Sequence, residues 1–274
     1  MLRVTPALLF LFLISCEGGR RLEPVRNPAQ DLVARIGVIG ASASGGFGTD
    51  LPFSAVIGCA IQVPREITAQ THTLFFVWPE RIGKNQVAQV LESQPSLVLA
   101  LDFLFWFAYG RKPLEQRRHD LKVGFQLLES FQVPLFVGDI PDMRGASVWA
   151  LPPSKIPPAE ELDLLNEQVH AWVETRPTLF LLPLARWAQQ MRSGETLPVQ
   201  NTTPTTDSKK LLTGDRLHPS VTGQVYLTLL TLDVIEKHYP GLERLRVHDP
   251  DQLQQCAEKW LTQWRDARKS SSTR

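Results

Sequence analysis

The sequence predicts an α/β domain built on a mostly parallel sheet covered on both faces. Short β-rich apolar runs, at residues 36–39, 133–138 and 178–182, alternate with longer stretches whose apolar residues recur at helical spacing. Parallel strands need crossover connections, and those crossovers place helices on both faces of the sheet, wound right-handed. With 274 residues and 43% hydrophobic content, the chain is long enough for one sizeable core.

The N-terminus stands apart from that fold. Met1-Leu2-Arg3 carries one side-chain charge, residues 7–14 are continuously apolar, and the run ends in Ser15-Cys16. Such a run is too short to span a bilayer comfortably and has the shape of a secretory signal. Leu13-Ile14-Ser15-Cys16 resembles the lipobox of bacterial lipoproteins, which implies lipidation at Cys16. A signal cut elsewhere, or an uncleaved anchor, remains open. The expected organisation is a signal peptide at 1–15, a lipidated cysteine and tether at 16–34, and one domain at 35–270. That resemblance places the protein in the cell envelope, held to a membrane by its lipid. Glu17, where many inner-membrane lipoproteins carry aspartate, favours the outer membrane.

The elements follow in order. The first strand breaks at Gly40 into Ala41-Ser42-Ala43-Ser44-Gly45-Gly46, and residues 49–61 then look helical, although Pro52 limits where that helix begins. Residues 71–78 are β-rich and lead into a helix over 84–93, with Val87, Val90 and Leu91 at helical spacing. Residues 96–107 form a long apolar run broken only by Asp102. A helix over 117–131 presents Leu121, Phe125, Leu128 and Phe131 on one face, and the strand at 133–138 ends in Asp139-Ile140-Pro141-Asp142. A proline-rich connection precedes a helix at 159–174, then comes the strand at 178–182 and a polar loop at 193–208. Leu212-Thr213-Gly214-Asp215-Arg216-Leu217-His218-Pro219 opens a helix running to 238. A last helix, 249–269, offers Leu253, Trp260, Leu261 and Trp264 for packing.

Several function classes drop out. A net charge of +1 without a basic block argues against a nucleic-acid partner. His72, His119, His170, His238 and His248 are scattered without zinc spacing, so no metal is expected. Cys59 and Cys256 belong to no C-x-x-C pattern. In an exported protein they could pair, but Cys59 lies in an apolar run, and two separately buried thiols are the expectation.

In parallel α/β folds ligands sit beyond the carboxyl ends of the strands. Ser42, Asp102, Asp139 and the Asp215–His218 loop all fall just after, or late in, predicted strands, so they can converge at one edge. A serine at the start of a helix meets free N–H groups that favour negative charge. A phosphate-binding or merely tight turn would look the same. A serine hydroxyl needs a base, and histidine suits near-neutral pH when a carboxylate fixes its tautomer. Asp215 and His218 supply both, three residues apart, unless Asp215 only caps a turn. Asp139 and Asp142 could hold a metal or act as an acid/base pair, with loop capping the plainer reading. Phe103, Phe105, Trp106, Phe107 and Tyr109 could line an acyl pocket or fill the core.

Taken as a pair, the two ends carry a resemblance. Gly40-Ala41-Ser42-Ala43-Ser44-Gly45-Gly46 resembles the G-D-S-L-S/T-x-G block that opens the SGNH, or GDSL, hydrolase superfamily, and Asp215-x-x-His218-Pro219 matches its closing D-x-x-H-P block. The resemblance covers about residues 35–240 and implies a three-layer α/β/α fold with a flavodoxin-like sheet. It implies hydrolysis of an ester-bearing substrate (an acylated carbohydrate, a lipid or a small ester) without a cofactor. Ser42 would be the nucleophile, His218 the general base and Asp215 its orienter. The implied oxyanion hole uses the Ser42 N–H, a glycine for which Gly83 is the candidate, and an asparagine whose place Asp102 takes. Two departures stand out: Ala41 replaces the first-block aspartate, and Ala100-Leu101-Asp102-Phe103 stands where G-x-N-D is expected. Asp102 could be a protonated donor, could turn away to bond a loop, or could mark a weak relative. The competing class is an envelope lipoprotein that keeps the fold as a binding module.

Overall fold

The computed structural model of the chain describes residues 27–195, 197–200 and 210–272; Cys16 and the rest of the predicted signal lie outside them. Helix α1 (Pro28–Leu32) leads into β1 (Arg35–Gly40), and α2 (Phe53–Ala60) crosses to β2 (Glu66–Thr71). The chain continues through α3 (Pro79–Glu92), β3 (Leu97–Ala100), α4 (Phe105–Ala108), α5 (Leu114–Leu128), β4 (Leu135–Gly138), α6 (Ala159–Val173) and β5 (Leu179–Leu182). It closes with α7 (Leu184–Ser193), α8 (Val221–His238) and α9 (Pro250–Ser272). The five strands are all parallel in the order β2-β1-β3-β4-β5, the flavodoxin order. The α/β fold with its parallel sheet is therefore as the sequence predicts.

The period of two along each strand sorts the side chains between two cores. Ile36, Val38, Leu97, Leu99, Phe136 and Leu182 point to the layer containing α2, α8 and α9. Ile39, Val98, Ala100, Leu135, Val137 and Leu179 point to the layer containing α3, α5 and α6. Strands buried on both faces have no polar side to alternate, which is why they read as unbroken apolar runs.

Several boundaries move. The second strand lies at Glu66–Thr71, and residues 73–78 form a turn and a short 3-10 helix instead of the expected strand. β2 is a half-exposed edge strand with few large apolar residues, and the stronger hydrophobic signal falls on the exposed Leu74, Phe76, Val77 and Trp78. Helix α3 begins earlier than predicted because Pro79 occupies its first turn, where a missing N–H costs nothing. Helix α7 was not anticipated at all. The predicted tether is partly structured: Ala29, Leu32 and Val33 are buried in the core, so the packed domain starts upstream of residue 35.

The cysteines correct a second expectation. Cys59 on α2 and Cys256 on α9 form a disulfide, with Cα atoms 5.9 Å apart and a sequence separation of 197. An apolar neighbourhood is no obstacle to pairing, because α2 and α9 pack face to face and bring the two side chains together. Among the described residues no helix is long and apolar enough to cross a membrane, and no group of His, Cys, Asp and Glu could hold a metal.

Candidate active site

The strand order reverses between β1 and β3, with β2 on one side of β1 and β3 on the other. Ligands of such sheets sit at that reversal, beyond the carboxyl ends of the strands. Ser42 follows β1 by two residues and Asp102 follows β3 by two, so the switch point brings them together.

The turn that carries Ser42 is built from outside. Asp102 Oδ1 accepts from the Ala41 N–H at 2.8 Å and the Ser44 hydroxyl at 2.6 Å, and its Oδ2 accepts from the N–H groups of Ala43 at 2.8 Å and Ser44 at 3.3 Å. All four partners are donors, so Asp102 is an acceptor here and not an oxyanion donor. Of the three readings open from sequence, this is the loop-bonding one. The Gln86 amide of α3 grips Gly40 on both sides, accepting from its N–H at 3.2 Å and donating to its carbonyl at 2.8 Å. From α8, the Gln224 amide donates to the Ala43 carbonyl at 2.6 Å. Gly40 is required by this crowding, since a Cβ there would lie 2.3 Å from Asp102 Oδ1 and 2.5 Å from the Ser44 hydroxyl. Ser42 does not begin α2, which starts only at Phe53; it opens an isolated helical turn closed by Gly45 N–H to Ala41 O at 3.0 Å.

The His218 loop, by contrast, is closed mainly by its own bonds, with one outside contact where the Ser147 N–H donates to the Asp215 carbonyl at 2.8 Å. An antiparallel bridge pairs Leu212 with Pro219, and the Thr213 N–H donates to the His218 carbonyl at 2.9 Å. Asp215 Oδ1 accepts from the Thr213 hydroxyl at 2.6 Å and from the N–H groups of Leu217 at 2.9 Å and His218 at 3.0 Å. Contrary to the expectation, the loop follows no strand; it ends at Ser220, whose hydroxyl accepts from the Gly223 N–H and caps α8.

The two turns meet. His218 Nδ1 lies 2.6 Å from Asp215 Oδ2, and His218 Nε2 lies 2.8 Å from Ser42 Oγ. Burial alone would raise the Asp215 carboxyl, but the hydrogen bonds from His218, Thr213 and Leu217 outweigh it and hold the group at about 2. An ionised carboxylate can only accept, so Nδ1 carries the ring proton and Nε2 keeps its lone pair facing the Ser42 hydroxyl. Phe47 lies against the imidazole, ring centroids 4.6 Å apart. This arrangement can take a proton from the serine and return it to a leaving group.

Around the pair lies a narrow apolar chamber of about 60 Å³ that includes Leu101, Phe105, Trp106, Met143, Leu184, Met191 and Leu217 in its wall. The aromatic run is thus divided. Phe105 and Trp106 face the chamber, while Phe103 and Phe107 pack against Phe75 in the core. The Tyr109 hydroxyl donates to the Pro141 carbonyl at 2.7 Å and accepts from the Met143 N–H at 3.0 Å, fixing one chamber wall.

Gly83 is elsewhere. It sits inside α3, packed against Phe103 and Leu127, and its N–H belongs to the helical ladder, so it is no part of an oxyanion hole. The Ser42 N–H, lying between two that bind Asp102, has no acceptor among the described residues and is the donor available there. Asp139 caps α7 by accepting from the Ala185 N–H at 2.6 Å and lies 3.2 Å from His170 Nε2, while Asp142 pairs with Arg144. Those carboxylates serve the loop.

No protein-family model matches the chain, and no curated protein matches it in sequence. Solved structures do match in shape. One is a gut microbial diltiazem-metabolizing enzyme, with TM-score 0.50 and 12% identity over 73% of this chain and 46% of that one. Another, assigned as an acylhydrolase from Bacteroides fragilis, gives TM-score 0.50 and 15% identity over 75% of this chain and 88% of its own. The fold is shared with that structure. A GDSL-like lipase from Bacteroides thetaiotaomicron also aligns, at TM-score 0.46 and 12% identity over 80% and 92% of the two chains. The chain spans less than half the length of the diltiazem-metabolizing enzyme, and at these identities the likeness concerns the fold alone.

Gln86, Gln224, Thr213 and Phe47 escaped the sequence reading. Glutamine on a helix is ordinary, and nothing local marks these two as bonding a turn 46 and 181 residues away. Thr213 alone had a signal, lying two residues before Asp215 in the same loop.

Proposed function

We propose that the protein is a serine hydrolase of the SGNH type that cleaves ester bonds in the bacterial cell envelope. One observation carries this reading: the continuous hydrogen-bonded path from Ser42 through His218 to Asp215, at 2.8 and 2.6 Å, at the carboxyl edge of the sheet. Ser42 Oγ attacks the ester carbonyl as its proton passes to His218 Nε2, and Asp215 stabilises the resulting imidazolium. His218 then protonates the departing alcohol, and water releases the acyl group by the same steps in reverse roles. The Ser42 N–H faces the developing oxyanion.

A second reading, a fold kept as a binding module, rests on a specific observation. Of the three oxyanion donors the resemblance implies, Asp102 is an acceptor and Gly83 lies within a helix. Labelling of the purified soluble domain with a fluorophosphonate separates the two. The hydrolase reading expects labelling of the parent that is lost in Ser42→Ala and His218→Ala with folding intact. A folded parent that stays unlabelled refutes it in favour of the binding module.

Envelope placement is part of the proposal. The Cys59–Cys256 disulfide supports an oxidising compartment, and Cys16 is the proposed lipid attachment site. Cys16→Ser is expected to abolish lipid labelling and membrane fractionation; a variant that keeps both places the anchor elsewhere.

A further inference from the structure

We infer that the ester substrate carries a short, unsubstituted acyl group, acetyl foremost, and that the chamber beside Ser42 is what selects it. This rests on the hydrolase reading above. The chamber touches Ser42 and His218 directly, so the group bonded to the attacked carbonyl is placed to enter it. Its volume of about 60 Å³ is under half that of a cavity that accepts benzene, about 150 Å³. A short acyl group fills it.

The wall cannot yield cheaply. Leu184, Ala188 and Met191 stand on successive turns of α7, Leu217 comes from the His218 loop and Leu227 from α8, and among these Leu184, Met191 and Leu227 belong to the main core. Close-packed interiors resist extra methylenes by straining rotamers and shifting backbone. A long fatty acyl chain therefore cannot be housed within the walls without displacing core side chains, and what lies beyond its first carbons is left in solvent. The lining also excludes charge. Apart from Ser42, His218 and Asp102 it presents apolar side chains and the Trp106 indole, with no cationic side chain, so an acyl group ending in a carboxylate would lose its hydration without meeting a counter-charge.

The test is a chain-length series of p-nitrophenyl esters, acetate, butyrate and octanoate, with the rate of Ser42→Ala subtracted. Met191→Ala and Met143→Ala enlarge the chamber from two separate elements, each checked for native circular dichroism, so that one misfolded variant does not remove the test. For the parent, kcat/KM should fall about 10-fold from acetate to butyrate and at least about 100-fold to octanoate. In an enlarged variant the acetate-to-octanoate ratio should shrink about 10-fold or more. A parent that hydrolyses octanoate as fast as acetate, or folded variants that keep the parent's ratio, overturns chain-length selection while leaving the hydrolase reading intact. A folded parent with no Ser42-dependent hydrolysis of any ester, and no fluorophosphonate labelling, overturns the hydrolase reading itself.

Discussion

The two turns that meet at the candidate site are held by opposite means. The Asp215 carboxylate is satisfied within its own loop: every donor to it lies within three residues, and only the Asp215 backbone carbonyl reaches out, accepting from the Ser147 N–H at 2.8 Å. The Ser42 turn is held from afar, by Asp102 across 58 to 61 residues, Gln86 across 46 and Gln224 across 181. A self-bonded loop can form as a unit, whereas the Ser42 turn exists only once β1, β3, α3 and α8 have docked. Damage to the loop should therefore act on chemistry, and damage to the turn's supports should act on chemistry and stability together.

Asp215→Asn is the largest test of that contrast. It frees the ring to take the wrong tautomer, and kcat should drop about 10³- to 10⁴-fold while stability at neutral pH falls by only about 2 kcal/mol. A loss of activity matched by an equally large loss of stability would mean the loop is not self-sufficient. Asp102→Asn comes next. An amide has one acceptor oxygen where four donors converge, so destabilisation of about 2–4 kcal/mol and an activity loss of about 10- to 100-fold should appear together. A variant more active than the parent would instead return Asp102 to the oxyanion hole.

Acid titration gives a smaller effect confined to the self-bonded loop. The Asp215 carboxyl lies at about 2, below its ordinary 3.8, so it binds a proton more weakly folded than unfolded. Its contribution is complete above about pH 4 and is lost as pH falls through about 2, amounting to about 2 kcal/mol. Urea melts of parent and Asp215→Asn between pH 5 and pH 2 should converge over that window; parallel curves would remove the assignment. The smallest change is Gln224→Ala, which deletes the Ala43 contact and should cost about 1 kcal/mol in thermal or urea unfolding with only a few-fold loss of kcat. Unchanged stability would show that α8 does not support the turn.

The same contrast explains what could be read in advance. Asp215, His218 and Pro219 form a contiguous pattern, and the spacing of three residues itself encodes the contact. The parallel sheet was equally legible, because burial on both faces leaves uninterrupted apolar runs. Asp102 was visible as a lone charge in such a run, yet its partners were not, since whether it faces an oxyanion or a backbone turn depends on how β3 registers beside β1. Gly83 misled for a related reason: a glycine after proline-containing residues looks like a turn, while here it lets α3 approach Phe103 and Leu127. The edge strand β2, half exposed, gave too little hydrophobic contrast to find.

The Cys59–Cys256 bond turns the stretch from residue 59 to residue 256 into a covalent ring that contains Asp102, Asp215 and His218, with Ser42 on the arm leading into it. A single peptide cleavage anywhere within that ring leaves one molecule with all four residues still joined. Nicked protein would run as fragments on a reducing gel and as a single species without reductant, so a proteolytic cut there need not be a lethal event for the site.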